Sequence, residues 1–345
     1  MIEIIENLDN LKKYKNYIDK LYSKYGKCPY QSYIFLKTNF ITKNNGDFKV
    51  FIDSKNELLS AFETYWYENT WKCSIESYPI LGKETDNIAF FLKEIAQYLK
   101  PQTIYFPKVY IHTKLYNNFI NIKDGKITKW DRLPVPIINC SYSKENIYKQ
   151  EIERYGKRIL RQKKKFEKNL YVKEIKNEPF EEIIKDIEIN SWKRQCNQDM
   201  LSRENQFTFY TNIIKLGGAQ LFVAFEKETD IPVSYRIDAI TKDKVYFLKS
   251  SFKEQYKKYS PGSYLIATDL IERYVENKNY SYIDLCGSRN ILKNMVATDE
   301  LKRVDICYIY NDIVEKIKEE RTNFSKMNKE NYLKGNSIRK IYMEE

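Results

Sequence analysis

The amino-acid sequence predicts a mixed α/β protein whose second half repeats the order of elements found in its first half. Segments rich in β-branched and aromatic residues alternate with segments whose apolar residues recur at helical spacing. In each half, three strand-like segments are followed by one helix and one further strand, and the two sets are offset by roughly 170 to 180 residues. The 345 residues are enough for two medium-sized domains with separate cores.

The repeated unit can be followed element by element. In the first half it comprises strands at 48–53, 57–67 and 71–78, a helix at 86–100 and a strand at 103–107. In the second half it comprises strands at 219–226, 231–240 and 244–252, a helix at 261–277 and a strand at 280–287. We therefore predict two domains, 1–140 and 141–325, each a mixed, mainly antiparallel sheet flanked by helices, and a polar tail at 326–345.

A basic helix is predicted between the two repeated units, at 143–169. Ser143 is a suitable N-cap, and the last two turns carry seven lysines and arginines against Glu167 alone. This surface is either a solvated helix face or a binding surface for a phosphorylated substrate or an RNA acceptor stem. A second helix is predicted at about 179–195.

Composition narrows the classes of function. The net charge of +12 favours an anionic partner, although abundant lysine is also typical of an AT-rich genome. His112 is the only histidine, and the six cysteines form no C-x-x-C pair, so we expect no metal site and no multi-histidine catalysis. No apolar run approaches the roughly 18 residues of a membrane span, and no secretory signal is evident, so we expect a cytoplasmic protein.

The turn "YKKYSPGSYL" links the strand at 244–252 to the helix that follows it. Ser260 is expected to cap this helix with its hydroxyl, and Pro261 suits the first helical position. Exposed amides at a helix N-terminus attract anions, and Gly262 would let an anion approach the backbone closely. Ordinary helix punctuation without a ligand is the alternative. The residues of the predicted anion site are Lys257, Lys258, Ser260, Gly262, Ser263 and Tyr264.

This turn resembles the pyrophosphate loop of the GNAT acyltransferases, which lies between a strand and the helix that holds coenzyme A. The GNAT pattern is R/Q-x-x-G-x-G/A. Here Lys257 replaces the Arg or Gln, Ser260 replaces the middle glycine, and Gly262 matches the last position.

A narrower resemblance covers nearly the whole chain. "YSPGSYL…SYIDLCGSRNILKNMVA" is similar to the acetyltransferase branch that accompanies the Fem-type, double-GNAT transferases. That branch has a Ser-Pro-Gly turn, a helix, an Asp-Leu-x-x-Gly strand end and a downstream lysine, matched here by Asp284, Leu285, Gly287 and Lys293. The segments 190–194 and 29–40 also resemble this group.

The resemblance implies direct attack of an amine on a carbonyl, in a slot between the strands at 244–252 and 280–287. It implies that a backbone N–H around Leu248, Lys249 and Ser250 stabilises the oxyanion. Asp284 would orient the amine or take its proton, unless it caps the next helix or pairs with Arg289. Lys293 would balance negative charge near the transferring carbonyl, or else lie exposed on a short helix.

Four further side chains are candidates near this slot. Tyr235 and Arg236 lie next to each other on a strand, so only one of them faces the slot, and a structural role for the tyrosine is equally consistent. Trp192 and Lys193 are candidates for the acceptor pocket, although a tryptophan near a helix end often packs in a core. Cys286 is interpreted as an ordinary buried thiol rather than a proton donor.

Together these observations predict an N-acyltransferase that uses acyl-CoA, with an active second domain and a degenerate first one that contributes to the acceptor cleft. The expected acceptor is an amine on a small molecule, a peptide or a carrier. The alternative is a Fem-type transferase that uses aminoacyl-tRNA and modifies a peptidoglycan precursor or another peptide. A non-catalytic nucleic-acid-binding protein would explain the charge, but not the order of the turn, Asp284 and Lys293.

Overall fold

The computed structural model describes residues 2–44, 46–65, 70–83, 87–100, 103–113, 116–118, 126–176, 178–287 and 290–309. The predicted polar tail at 326–345 and Arg289 lie outside the described residues. Within them, thirteen strands form one hydrogen-bonded mixed sheet flanked by helices, which confirms the predicted α/β class.

The strands of the first part of the chain are β1 Glu3–Ile5, β2 Phe48–Asp53, β3 Leu58–Thr64, β4 Thr70–Cys73, β5 Leu81–Gly82, β6 Thr103–Tyr110 and β7 Lys126–Asn139. Those of the second part are β8 Leu170–Ile175, β9 Gln220–Glu226, β10 Pro232–Ile240, β11 Lys244–Phe252, β12 Tyr282–Asp284 and β13 Asp299–Ile309. Their order across the sheet is β1-β2-β3-β4-β6-β13-β7-β12-β11-β10-β9-β8, and β5 pairs with β3.

The first helices are α1 Leu8–Lys13, α2 Lys15–Tyr25, α3 Tyr33–Thr42 and α4 Asn87–Leu99. They are followed by α5 Lys144–Tyr155, α6 Arg158–Asn169, α7 Glu181–Ile189, α8 Trp192–Gln195 and α9 Gln206–Lys215. Helix α10 is composite: Pro261–Tyr264 is α-helical, Leu265–Asp269 is π-helical and Leu270–Tyr274 is α-helical again. Helix α11 is Ile291–Val296.

The predicted repeat of elements is present in the structure. In the first half, β4 and β6 are parallel neighbours joined through α4, and in the second half β11 and β12 are parallel neighbours joined through α10. Parallel neighbours need such a crossover connection, because a tight turn can only link antiparallel strands.

The last strand of each half crosses to the other half. Strand β7 pairs with β12, strand β13 pairs with β6, and β7 and β13 pair with each other along most of their length. Neither strand belongs to the predicted repeat unit. This exchange makes the two halves one sheet, and a domain division at residue 140 stays a prediction.

Two predicted helices are interrupted. The basic helix at 143–169 breaks at Gly156, whose φ of 72° ends α5, although Ser143 caps α5 as predicted by accepting a hydrogen bond from the Asn146 amide at 3.2 Å. The predicted helix at 179–195 is divided into α7 and α8 around Ser191, which forms an isolated β-bridge with Lys253. None of the described helices has the length and apolar character that a membrane span requires.

The two faces of the second half-sheet contact different partners. Ile283 and Leu285 pack in an apolar cluster with residues of α10 and α11. Because side chains alternate along a strand, Asp284 points to the opposite face, where Tyr246 belongs to the cluster formed mainly by the first half. The strand end at Asp284 therefore separates the α10 side of the sheet from the side that faces the first half.

Candidate functional site

Strands β11 and β12 pair over only three residues and then separate. The last parallel pair joins Tyr246 to Asp284, beyond which β12 ends while β11 continues to Phe252. A β-bulge follows on β11, because Lys249 and Phe247 pair with consecutive residues of β10 and Leu248 has no partner there. The extra residue of a bulge is left out of the ladder, so Leu248, two residues beyond the last pair with β12, is not paired with β10.

A small cavity lies at this opening, on the face directed at the first half of the chain. Residues of both halves line it: Tyr30, Glu76, Ser77, Lys108, Tyr110 and Val135 from the first, and Tyr246, Asp284, Cys286, Gly287 and Arg303 from the second. The exchange of β7 and β13 brings these two sets together, because it places β6 and β12 on the two sides of one central strand pair.

Asp284 is the buried carboxylate of this cavity, with 1% of its surface exposed. It accepts hydrogen bonds from the Tyr110 hydroxyl at 2.5 Å and from the Cys286 amide at 2.8 Å. Burial raises the pKa of Asp284 above the ordinary aspartate value, because desolvation penalises the charged form more than these two bonds favour it. A carboxylate with a raised pKa in a cavity is suited to accept a proton.

Unusual backbone conformations cluster around the same cavity. Ser77, Lys108 and Cys286 all line it, and all three have positive φ values, of 70°, 57° and 50°. Such conformations are unfavourable for residues other than glycine and persist where the surrounding structure enforces them, often at functional sites.

An ion pair from the first half borders the cavity. Lys108 Nζ lies 2.6 Å from a carboxylate oxygen of Glu76. Burial opposes ionisation of Glu76, but the ammonium groups of Lys108 and Lys72 outweigh it and lower the pKa of this carboxyl to about 2. Arg303, which also lines the cavity, donates to the carbonyls of Gly287 at 2.9 Å and Leu133 at 2.8 Å.

Lys293 reaches back to the loop that follows Asp284. It lies on α11, whose N-cap Asn290 accepts a hydrogen bond from the Lys293 amide at 2.9 Å. Its ammonium group donates to the Cys286 carbonyl and lies 5.8 Å from the centre of the Phe247 ring. Burial lowers the pKa of Lys293 to about 8, so this lysine is not the exposed side chain of the alternative interpretation.

A second pocket lies on the other face of the sheet, at the start of α10. Its lining residues are Ile159, Gln162, Lys163, Ser260, Ser263, Tyr264, Ala267, Thr268 and Met295. It therefore combines part of the predicted anion site with a lysine of the basic helix α6 and one residue of α11.

The predicted hydroxyl cap of α10 is wrong. Ser260 has a left-handed backbone with φ of 54°, and its side chain makes no cap hydrogen bond. Pro261 does occupy the first turn as predicted. Packing also favours glycine at position 262, because a Cβ built there would lie 3.1 Å from the Phe252 ring.

The remaining residues of the predicted anion site are partly engaged within the protein. The Tyr264 amide donates to the Ser260 carbonyl at 3.0 Å, so it does not point out of the helix as expected. The Tyr264 ring stacks on Phe166 of α6, with ring centres 3.7 Å apart. Lys257 forms an ion pair with Glu254 at 3.1 Å, and Lys258 is exposed.

Arg236 has a structural role in place of the predicted substrate contact. Its guanidinium is fully buried, 2.9 Å from Asp238 and 2.9 Å from Asp269 of α10. Burial alone would lower the pKa of Arg236, but these two carboxylates raise it. These contacts fasten α10 to β10, and we leave Arg236 out of the proposed site.

Tyr235 points to the opposite side of β10 from Arg236. It is fully buried among apolar residues of α7 and the sheet, and its hydroxyl donates to Glu188. These contacts favour the structural interpretation of Tyr235 over the catalytic one.

The other candidates lie along the far end of β11. Lys249 is partly exposed and donates to Gln206 at 3.2 Å, and Lys193 of α8 donates to the Ser250 carbonyl. Trp192 precedes Lys193 on α8 and is partly exposed.

The sequence predicted that the first half contributes to the acceptor cleft, but not which of its residues do so. Tyr110, Glu76 and Lys108 carry no motif, and they reach the cavity only through strand pairing between distant segments. Tyr30 is the exception, because it falls in the segment 29–40, whose resemblance to Fem-type relatives was a usable signal.

Residues 154–294 match the family described as acetyltransferase (GNAT) domain. This match includes the α10 turn, Asp284 and Lys293. The chain carries a GNAT domain. The resemblance drawn from the sequence is thereby confirmed. The matched residues contain the separated strand pair, most of the lining of the α10 pocket, and the part of the cavity that includes Asp284. No curated protein matches the chain significantly.

Solved structures extend the likeness beyond the GNAT domain. FemX superposes with a TM-score of 0.61 at 11% identity, over 91% of this chain and 99% of that chain. A conserved protein of unknown function from Bacteroides thetaiotaomicron gives 0.60 at 12% identity, over 89% and 100%. The C-terminal domain of a putative lysylphosphatidylglycerol synthetase from Agrobacterium fabrum gives 0.58 at 8% identity, over 86% and 92%. At these identities the likeness shows the fold, which both halves share with these proteins.

Proposed function

We propose that the protein is an N-acyltransferase that moves an acyl group from acyl-CoA to an amine acceptor. The GNAT domain supports acyl transfer as the class of reaction. Acyl-CoA as donor and an amine as acceptor are the specific parts of the proposal.

The observation that carries this proposal is the placement of two pockets on opposite faces of one opening in the sheet. The pocket at the start of α10 suits the phosphates of the carrier, with Lys163, Ser260 and Ser263 in its lining. The cavity at Asp284 lies on the other face and suits the acceptor. A carrier that reached through the gap between β11 and β12 would bring its carbonyl to the acceptor amine.

The chemistry then needs few protein groups. The amine nitrogen attacks the thioester carbonyl carbon, and its proton passes to Asp284, which is the buried base of the cavity. The backbone N–H of Leu248 stabilises the oxyanion, and the charge of Lys293 balances it. The new C–N bond forms, the C–S bond breaks, and the sulfur leaves as a thiolate.

The carrier site can be tested with coenzyme A and the melting temperature. Acetyl-CoA should raise the Tm of the wild type, because a ligand that binds only the native state stabilises it. Replacing Gly262 can act in two ways. The new side chain can block binding of the carrier phosphates, or its Cβ can clash with the Phe252 ring, from which it would lie 3.1 Å. We therefore compare Gly262→Ala alone and together with Phe252→Leu, which makes room for the new methyl group.

If Gly262 admits the carrier phosphates, the double variant without ligand should have the Tm of the unliganded wild type. Acetyl-CoA should then fail to raise the Tm of the double variant. If the shift returns in the double variant, Gly262 serves packing alone and leaves the proposed site. No shift of the wild type with any CoA thioester would overturn the donor.

A Fem-type reaction with aminoacyl-tRNA is the second candidate, favoured by the exposed basic face of α6. Arg161, Lys164, Lys165 and Lys168 are exposed there, and Lys163 of the same helix lines the α10 pocket. Phosphate contacts make nucleic-acid binding steeply dependent on salt. Salt-sensitive tRNA binding that is lost on replacing Lys163, Lys164 and Lys165 with glutamine, without any CoA shift, would establish this candidate over the first.

A further inference from the structure

Two partly exposed lysines at the far end of β11 have no carboxylate partner among the described residues. Lys193 Nζ donates to the Ser250 carbonyl, and Lys249 Nζ donates to the side-chain oxygen of Gln206 at 3.2 Å. Within the part of the chain that the structure describes, neither ammonium group lies within ion-pair distance of an acidic side chain. An ammonium group offers three donors, so most of the donor capacity of this pair is free.

The nearest carboxylates are already committed to other groups. Glu188 accepts from the Tyr235 hydroxyl with one oxygen and from the Met200 amide at 2.7 Å with the other. Asp199 accepts from the amides of the two residues that follow Met200, at 2.9 and 3.0 Å. Neither carboxylate is free to turn toward the lysines.

In the protein without a ligand, burial and the charge of Lys193 both disfavour the ammonium form of Lys249. Burial, followed by the charge of Lys193, lowers the pKa of Lys249 to about 7, while Glu188 and Asp199 only partly oppose this and Arg203 adds to it. Burial likewise lowers the pKa of Lys193. Desolvated like charges without an ion pair are typical of sites where a ligand of opposite charge binds.

The lysine pair lies on the acceptor side of the opening in the sheet. Lys249 is three residues beyond Tyr246, the last residue of β11 that pairs with β12, so about 10 Å of strand separates the two. Lys249 Nζ lies 5.7 Å from the centre of the Tyr210 ring, and Tyr210 packs against the same apolar cluster as Tyr246. Burial, followed by Cys286 and Glu76 of the cavity, raises the pKa of Tyr210.

We propose that Lys193 and Lys249 form an oxyanion subsite of the acceptor pocket, so that the acceptor is an amine that also carries a carboxylate or a phosphate. This inference rests on the proposed function, because it takes the cavity at Asp284 as the place of the acceptor amine. The anionic group binds between the two ammonium groups while the amine points along the face of β11 toward Asp284. The subsite would select amino acids, short peptides with a free carboxylate, or amines bearing a phosphate, over neutral amines.

Isothermal titration calorimetry with matched probes tests the subsite without requiring acyl transfer. The probes are 4-aminobutyrate, its uncharged counterpart 4-aminobutyramide, and 2-aminoethyl phosphate, each titrated into the full-length protein with and without coenzyme A. We expect at least one anionic probe to bind at least tenfold more tightly than the amide. Preference for 4-aminobutyrate identifies a carboxylate, and preference for 2-aminoethyl phosphate alone identifies a phosphate.

Lys249→Met and Lys193→Met should each reduce this preference to nearly one, whereas Lys249→Arg should keep it. Lys173→Met is the matched control, because Lys173 lies on β8 of the same sheet and pairs with Glu178 at 2.8 Å. Circular dichroism establishes that each variant is folded. Equal affinity of the wild type for all probes, no binding of any probe, or a preference that survives both methionine variants overturns the subsite. Failure of acyl transfer with acetyl-CoA overturns the proposed function and leaves this measurement intact.

Discussion

In both halves of the molecule two parallel strands pair over three residues, but the third pair carries different chemistry. In the first half Lys72 pairs with Tyr105, and in the second half Tyr246 pairs with Asp284. Tyr105 is fully buried, donates its hydroxyl to Asp305 at 2.7 Å and stacks on Trp130. Asp284 instead faces a cavity.

The two halves therefore share the strand arrangement, but only the second half has a carboxylate at this position. A phenol with an ordinary pKa of about 10 remains protonated at neutral pH, whereas a carboxylate can accept a proton there. The first half keeps the strand geometry but places a packed aromatic side chain where the second half places a base. The first half contributes to the site through the cavity lining instead, and Tyr110 at the end of β6 donates to Asp284.

The largest expected effect comes from removing the base of the second half. Asp284→Asn should reduce kcat about a thousandfold, because the amide cannot accept the proton of the amine. The amide oxygen can still accept from Tyr110, but the amide nitrogen cannot accept from the Cys286 N–H, so the Tm should fall while the fold is retained. The matched control is Tyr105→Phe, which alters the equivalent position of the first half and should leave kcat unchanged. Turnover that survives in Asp284→Asn would contradict the role of this residue.

The next effect concerns the charge of Lys293. Its pKa of about 8 means that the ammonium form is lost as pH rises through this value, so kcat/KM should fall above about pH 8. Lys293→Met should lower kcat about a hundredfold at pH 7 and remove this alkaline limb. Lys293→Arg should retain activity and move the limb upward, since a guanidinium stays charged in this range. A pH profile that is the same in wild type and Lys293→Arg would exclude this lysine as the titrating group.

The smallest effect tests the contact between the halves. Tyr110→Phe removes a hydrogen bond that favours the charged form of Asp284, so the pKa of this carboxyl should rise further. The acid limb of kcat/KM should therefore move to higher pH, and kcat should fall about three- to tenfold. Tyr25→Phe serves as control, because Tyr25 also donates to a carboxylate, Glu57 at 2.7 Å, but lies outside the cavity lining. An unchanged acid limb in Tyr110→Phe would mean that the first half contributes only packing.

The local elements of the repeat unit were predictable because their signals are local. The strands at 48–53 and 244–252 have the predicted bounds, and α10 begins at Pro261 as expected. Runs of β-branched and aromatic residues, helical spacing and turn chemistry depend on neighbours within a few residues. The order of the turn, Asp284 and Lys293 along the chain was equally visible, and so was the GNAT resemblance based on it.

Strands β7 and β13 were not predictable in the same way. Strand β7 contains two prolines and several charges, and β13 begins with charged residues, so neither pattern indicates a central strand. Their positions depend on pairing between segments more than 150 residues apart, and side-chain periodicity carries no information about which strands become neighbours.

By itself, the sequence determined the α/β class, the duplicated order of elements and the identity of Asp284 and Lys293 as candidates, because each follows from residue type and short-range spacing. Only the tertiary structure decided that the last strands cross between the halves, that Tyr110 reaches Asp284, and that Arg236 forms ion pairs with Asp238 and Asp269. Burial and long-range strand pairing set these outcomes, and both arise only when the whole chain packs.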